Sequence, residues 1–498
     1  MGKKGGNKTG SKAATAPAET ASETELSPQK KFDLLKNNEK LLKVTSVDFR
    51  QVVESHVLTD KLIQKSISIE SEIDPGFPKR DENSIQELTK WMVKFGAKID
   101  GVEIKEMEDF GYGICASRDF SEGEFIISVP RKLMMTTESA MKSELDYHIR
   151  NDPMLAHMPN VILALFVLLE KFKGDSSFWA PYLNCLPPSY LTVMYYSTAE
   201  LDALKGSPIY EPSLKQCQNI ARQYVYLRNL FHKHTDAGSL ILKKYFTYEQ
   251  YRWAVSTVMT RQNFIPASSP DDPMILALIP WWDMGNHDNA QLTTDYNIEA
   301  DRSEYRTCRA FSAGDQVFMS YGKRPNSELF LHNGFVHVDN QSDGVKLRLG
   351  VSKSDPLVAL RCGLLKELCI PSSAEFLLPA SVRPFHPHGK FFAFLRIFNM
   401  DQAGLEEWTK SDNKEDLMLP DLTLPVDTKV WRFLSTRIKL LLAAYPTSLK
   451  EDENMLSEQN LSPCMRLAIL QRMTEKRILN NTISDLEKLE NGFDPNEQ

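Results

Sequence analysis

Cysteine is sparse in this chain and shows no metal or disulfide spacing. Cys115, Cys185, Cys217, Cys308, Cys362, Cys369 and Cys464 are scattered through 498 residues without a single CxxC pair. Their odd number and spread argue against a disulfide framework and against a zinc–thiolate cluster. Reduced, buried thiols in a cytoplasmic or nuclear protein are therefore expected. Long apolar runs are missing too. The longest, Val161 to Leu169, falls far short of the ~20 residues that cross a bilayer. No apolar stretch follows the early lysines, so no signal peptide and no membrane partner are expected. Gly6 stands where a myristoylation signal needs Ser or Thr. Excess positive charge is absent: 59 Lys and Arg against 66 Asp and Glu give a net charge of −7. That balance disfavours a general phosphate-backbone binder, and no nucleic acid is expected as a partner. There is no GxxxxGK[ST] phosphate loop, no GxSxG elbow and no internal repeat.

What remains is ordinary globular composition, 42% hydrophobic and 25% charged, at a length that suggests two or three domains. Residues 1–30 read as a disordered tail, because no large apolar residue, whose burial could offset ordering entropy, appears until Leu26. Residues 31–99 read as helical, with Phe49, Val53 and Val57 at a spacing of four. Ser84 with Glu87 reads as a capping box for a helix bearing Leu88, Trp91, Met92 and Phe95.

From Gly101 the pattern shortens into strands: Val102–Ile104, Gly113–Ser117 and Phe125–Val129, then Thr307–Phe311 and Gln316–Ser320. Between the two strand clusters, Asn160–Lys173 and Cys217–Phe231 carry helical periodicity. The last third is helical, with Asp427 read as an N-cap and Ser462-Pro463 as a helix start. A domain boundary is expected near Val351.

Three polar constellations stand out. Trp282-Asp283-Met284-Gly285-Asn286-His287 follows an apolar run, Tyr321-Gly322-Lys323-Arg324-Pro325-Asn326 follows a strand, and Arg261-Gln262-Asn263 ends a helix. Singly, each has a bland reading. Asn and Asp after a strand are common turn formers, and a lone histidine is commonly structural. Asp283 and His287 are four apart and could share a helix face as metal ligands. His332 with His337 and His386 with His388 are the other candidates, but none completes a ligand set, and no metal is expected.

Asn286-His287, followed by a Gly-Asp turn, a strand and Tyr321-Gly322, resembles the paired signature of SET-domain methyltransferases. The segment 116–124, Ala116 to Glu124, resembles the opening strands of that fold. Phe178-Trp179-Ala180-Pro181-Tyr182-Leu183 and Leu186-Pro187 resemble the helical insert of the Rubisco large-subunit methyltransferase branch. TYEQYRWAVSTVMTRQNFIP (247–266), LALIPWWDMGNH (276–287) and TTDYN (293–297) are similar to the actin-histidine methyltransferases within that branch, a resemblance running from about residue 75 to 485.

The resemblance implies an α+β chain. It comprises a SET-domain β-fold over 100–322 with a helical insert at about 135–260, then an all-α substrate-binding domain over 351–486 and a tail over 487–498. It implies S-adenosyl-L-methionine as co-substrate, held by Arg80, Phe110, Gly111, Tyr112, Arg261, Asp283, Met284, Gly285, Asn286, His287, Asn333, Gly334 and Phe335. It implies catalytic roles for Asn263 and Tyr321, and substrate contacts from Trp282, Arg324, Arg222 and Gln223.

The implied reaction is methylation of the tele nitrogen of a histidine in actin by a monomeric enzyme. A lysine methyltransferase of the same fold and a non-catalytic SET scaffold are the alternatives. Phe110 stands where the family carries an acidic residue, so only backbone contacts are implied there. Histidine suits this chemistry: a free imidazole is about 90% neutral at pH 7.4, a lysine amine only ~0.1%.

Overall fold

The segment from Pro159 to Phe172 is apolar on every face, so it forms a helix buried continuously from Val161 to Glu170. It is a central rod of the fold, packed against the helix Tyr248–Arg261. That second helix is started by Thr247, whose Oγ1 accepts from the Gln250 backbone at 3.1 Å. The computed structural model describes residues 25–45, 51–107, 110–289 and 294–490.

The strands, in chain order, are β1 (Lys98–Ile99), β2 (Val102–Met107), β3 (Gly111–Ala116), β4 (Phe125–Pro130), β5 (Met135–Thr136), β6 (Gln262–Ile265), β7 (Ile275–Leu278), β8 (Thr294–Asn297), β9 (Arg302–Arg306), β10 (Gln316–Val317), β11 (Gly344–Gly350) and β12 (Ser373–Pro379). They form small antiparallel sheets in the orders β1-β4-β9-β8, β10-β3-β2, β5-β7-β6 and β11-β12. The 125 residues between β5 and β6 (137–261) hold the helical insert. The mixed α+β class is thus realised by strands gathered from both ends of a helical excursion.

One core runs from Leu41 to Met319 and joins the first helices, the small sheets and the insert. A second core runs from Val345 to Leu486. It belongs to the C-terminal region, which is helical with one addition, the β11–β12 pair. This core begins at β11, a few residues before the expected boundary at Val351. A smaller cluster seats Cys464 and Ala468, on the helix Pro463–Glu490, against Val193, Tyr196, Leu214 and Phe330.

Several local readings are corrected. The cap of the helix Glu82–Lys94 is Asp81, which accepts from Ser84 N at 2.8 Å while Ser84 Oγ returns to Asp81 N. Asp427 lies in the first turn of its helix, not at the cap. Its carboxylate is drawn instead to the fully buried Arg396, with two contacts of 2.8 Å. Residues 307–311 are not a strand: the chain turns after β9, and Phe311 only bridges Phe120. The chain is already helical from Pro28, with Leu26 buried, and the last helix reaches Glu490. Apolar contacts at both ends thus shorten the tails expected at 1–30 and 487–498. Residues 1–24 and 491–498 lie outside the described residues, as does Phe49.

Candidate active site

The strand β7 ends at Leu278, and the chain then runs through Trp281 at φ 69° into a short 3-10 turn, Trp282–Met284. Gly285 ends that turn in extended backbone. Asp283 and His287 therefore do not share a helix face, and the two-ligand metal reading fails on geometry. Asp283 is taken by Arg261, whose Nη1 lies 3.2 Å from Oδ1 and donates to the Asp283 carbonyl at 2.7 Å. The Tyr182 hydroxyl donates to the other carboxylate oxygen. Among the described residues no group of three His, Cys, Asp or Glu side chains could hold a metal ion.

Arg80 joins this pair to form the basic side of a candidate donor recess. Arg80 lies over the Tyr112 ring at 4.3 Å and makes no hydrogen bond or ion pair with the described residues. Burial, and then Arg261 nearby, push its pKa down. Burial also opposes the Arg261 charge, but the Asp283 carboxylate outweighs it and holds the guanidinium protonated. Burial pushes the Asp283 carboxyl up from its usual range, and Arg261 and Tyr182 pull against that. Met284 brings its sulfur to 3.9 Å from Arg261 Nη1.

Asn286 extends the recess. Its Nδ2 donates to Gln316 Oε1 at 2.6 Å and to the Tyr112 carbonyl at 3.4 Å. Gly113 makes room for this: a Cβ there would meet Gln316 Oε1 at 2.6 Å and Asn286 Nδ2 at 2.8 Å. Gly111 brings its backbone close to Arg80. Phe110 turns outward, half-exposed, and touches the Phe318 ring.

On the far side, Asn333 donates to the Thr260 carbonyl at 3.4 Å, and its Oδ1 is buried without a partner. Gly334 adopts φ 75°, and a Cβ there would meet the Leu191 backbone at 2.9 Å. Phe335 closes on the His287 and Tyr321 rings, with centroids 5.9 and 6.1 Å away.

Tyr321 stands at the mouth. Its hydroxyl donates to the Gly285 carbonyl at 2.8 Å, and its backbone N–H to His287 Nδ1 at 3.1 Å. Burial pushes the phenol up to about 12, so it keeps its proton. Burial, reinforced by His337, pushes His287 down to about 4, so it stays neutral and can accept. Asn263 lies on β6, at the edge of its sheet and paired with β7. Its Nδ2 donates to the Arg261 carbonyl at 3.1 Å, and its Oδ1 makes no bond with the described residues. Arg324 is half-buried, and its guanidinium makes no hydrogen bond or ion pair with the described residues.

The structure thus brings Arg80, Gly111, Tyr112, Arg261, Asp283, Met284, Gly285, Asn286, His287, Tyr321, Asn333, Gly334 and Phe335 into one contiguous group, with Asn263 joined to Arg261. Trp282 is buried in the core against Tyr305, at 5.6 Å. Among the described residues, Arg222 and Gln223 share no hydrogen bond with this group. Arg222 is exposed beside Asn219 and the Thr45 carbonyl, and Gln223 accepts from Tyr251. Sequence reasoning assigned no role to Tyr182, Gln316 or Tyr190, whose hydroxyl pairs with Thr257 at 2.8 Å. Each reaches the site from a distant stretch of chain.

The chain is similar to several known proteins. The SET domain family matches residues 111–322, and the Rubisco LSMT substrate-binding family matches 352–479. A Danio rerio protein named actin-histidine N-methyltransferase is 37% identical over 498 residues, covering 97% of this chain and 80% of its own. The Homo sapiens protein of the same name is 38% identical over 436 residues, covering 86% of this chain and 73% of its own. Among solved structures, the SET domain of LSMT bound to lysine and AdoHcy superposes with a TM-score of 0.67 at 20% identity, covering 83% of this chain and 94% of that one. Rubisco LSMT bound to AdoMet gives 0.64 at 21% identity, covering 82% and 93%. Those two likenesses speak to the fold.

Proposed function

The chain belongs to the actin-histidine N-methyltransferase family of SET-domain enzymes, and from that membership we propose that it methylates the tele nitrogen of a histidine in actin. Its co-substrate is S-adenosyl-L-methionine, the AdoMet bound in one structural relative.

The residues present fit this donor. The half-buried Arg80 guanidinium has no carboxylate paired with it among the described residues and suits the donor's own carboxylate. Asn333 Oδ1 and Arg261 Nε are buried polar atoms without partners. Asn286 and the backbone opened by Gly113 offer the donors and acceptors an adenine edge needs. The Phe110 backbone with Gly111, Met284, Gly285, Gly334 and Phe335 completes the pocket in this reading. When bound, the donor supplies an electrophilic methyl group and departs as a neutral thioether.

The protein's part is alignment, exclusion of water and choice of tautomer. Tyr321 is held by both its hydroxyl and its backbone, so its ring forms a fixed wall. Asn263 carries the argument for histidine. The Arg261 carbonyl can only accept, so it fixes the Asn263 amide with its NH₂ inward. Oδ1 is then the atom left for the acceptor. It can only accept, so it selects the imidazole tautomer with N–H on the far nitrogen. The near nitrogen keeps its lone pair for attack. As positive charge develops on the ring, the same oxygen stabilises it. The far proton is lost to solvent after transfer.

Trp282 and Arg324 would line the acceptor side, with Arg222 and Gln223 as outer contacts to actin. A cytoplasmic or nuclear setting suits seven cysteines that are all free.

The test is mass spectrometry of unmethylated actin incubated with the protein and the donor. One methyl group on a histidine is the expected result, and no gain on histidine overturns the reading. A gain only on a peptide with lysine in place of that histidine points to lysine chemistry. No heat of donor binding in calorimetry points to an inactive scaffold.

A further inference from the structure

Between Tyr321 and β11 the chain makes a turn and a loop whose hydrogen bonds pass through one side chain. Asn326 is fully buried. Its Oδ1 accepts from His337 N at 3.0 Å and from Asn340 Nδ2 at 3.3 Å. Its Nδ2 donates to the His337 carbonyl at 3.0 Å and to Asp343 Oδ2 at 2.8 Å. Its backbone N–H donates to Asp343 Oδ1 at 2.8 Å.

A carboxamide offers two donors and two acceptor positions, and all four are used here. No other side chain fits the set. Asp would remove both donors and set a second carboxylate against Asp343. Ala would leave a buried carboxylate oxygen and a buried backbone pair with fewer partners.

The bonds connect two parts of the molecule. On one side is the turn Gly322–Pro325. Its entry is pinned by Tyr321 to His287 and Gly285, and its exit by Asn326 to Asp343. Its middle is pinned by Asn340, which donates to the Arg324 carbonyl at 2.8 Å. On the other side is the C-terminal region. Asp343 accepts from Gly344 N at 2.9 Å at the start of β11, and its carbonyl accepts from Ala380 N at 2.8 Å, just past β12. His337, gripped by Asn326 through both its N–H and its carbonyl, packs its ring 5.5 Å from His287. Arg80, Arg261, Asp283 and Asn286 make no bond to this circuit among the described residues, so the basic side of the donor recess stands apart from it, while His287 and Phe335 adjoin it.

We propose that Asn326 is a positioning residue for the acceptor. It holds the turn bearing Tyr321 and Arg324 in register with the C-terminal region, so that actin engaging that region meets a fixed Arg324. This rests on the acceptor side assigned above. Losing the circuit frees the turn while the Arg80, Arg261 and Asn286 side of the donor recess stays in place, so acceptor turnover suffers far more than donor binding.

Three variants test this: Asn326→Ala, Asn326→Asp, and Asn326→Asp combined with Asp343→Asn. The double variant sets an amide and a carboxylate face to face again. For each, donor Kd is read by calorimetry, and kcat and KM for actin are read per folded molecule from a thermal melt. Asn326→Ala should lower kcat/KM for actin by roughly 30- to 100-fold, the scale of a misplaced reacting group, and weaken donor Kd by a much smaller factor. Asn326→Asp should be worse than Asn326→Ala, and the double variant should recover part of the loss.

The inference fails if donor Kd weakens in step with activity. It also fails if kcat/KM per folded molecule is unchanged, or if the double variant is no better than Asn326→Asp. Wild-type protein without activity on actin overturns both this inference and the function it rests on. Active wild type with unaffected variants overturns the inference alone.

Discussion

Tyr321 donates its backbone N–H to His287 Nδ1 at 3.1 Å and stacks its ring on the same imidazole, centroids 5.1 Å apart. One neutral histidine thus fixes both the direction and the plane of the residue at the mouth of the site. The bond needs an unprotonated Nδ1. A proton there would remove the acceptor and place a buried charge beside His337.

His287 therefore makes stability depend on pH. Burial and His337 push it down to about 4, whereas an unfolded histidine titrates near 6.5. Between those values the unfolded chain binds more protons, so stability falls as pH drops from about 6.5 towards 4. Two buried carboxyls act oppositely. Burial pushes Glu70 and Glu475 up to about 7 each. Their stabilising share is complete below the unfolded value near 4.5 and is lost as pH rises through about 7. The readout is therefore the difference between wild type and His287→Asn, whose Oδ1 can stand in for Nδ1. Melts from pH 4 to 7.5 should show a shallower acid-side loss in His287→Asn. Parallel curves would contradict a depressed His287.

Gly113→Ala should strike the donor recess. The added methyl would lie 2.6 Å from Gln316 Oε1 and 2.8 Å from Asn286 Nδ2, the two atoms that bond each other. Both cannot stay. Donor Kd should weaken roughly tenfold, with about 1–3 kcal/mol lost from stability, as for an overpacked core site. Gly363→Ala is the control: it lies within a helix with nothing within 4 Å of the new Cβ. It should leave Kd alone and stabilise by roughly 0.5–1 kcal/mol.

Legibility in the sequence followed the range of the interaction. The helix at Tyr248–Arg261 and the Asn286-His287 and Tyr321 segments were readable, because periodicity and contiguous motifs are local. The cap at Asp81 was not, because Asp81 with Ser84 and Ser84 with Glu87 are both plausible capping frames three residues apart. No local signal marks the pairings of Tyr182, Gln316 and Asn326. Tyr182 meets Asp283 across 101 residues and Gln316 meets Asn286 across 30, and only the folded chain creates either pairing. Asn326 read as one more polar residue in a turn, yet its amide serves groups at 337, 340 and 343.

Tyr182→Phe isolates the support of the Arg261–Asp283 pair. The hydroxyl is buried, with burial and Asp283 holding its pKa well above the usual range, so it acts only as a donor. Removing it leaves one Asp283 oxygen without its partner while the ring still packs. A loss of about 1–3 kcal/mol in stability is expected for an unsatisfied buried carboxylate oxygen. Arg261 gains freedom, so donor affinity should fall several-fold with little change in KM for actin. Unchanged donor affinity in calorimetry would show that Arg261 is held without Tyr182.

Asn263 offers the sharpest test, because its two amide ends do different work. Nδ2 is committed to the Arg261 carbonyl, and Oδ1 is left for the acceptor. Asn263→Ala should lower the methylation rate on the order of 100-fold while donor Kd stays within about twofold, the scale of removing one oriented group from a transition state. Asn263→Asp separates tautomer selection from mere hydrogen bonding. A carboxylate can still accept from the far imidazole nitrogen, but its charge favours the protonated, unreactive ring. The wild-type rate should rise with pH through the imidazole range near 6.5. In Asn263→Asp that midpoint should move upward by about one unit, the usual size for a neighbouring opposite charge. A pH–rate profile under single-turnover conditions measures it. An unmoved midpoint would mean that residue 263 does not face the target ring. A fall in donor affinity matching the fall in rate would assign Asn263 to the donor pocket instead.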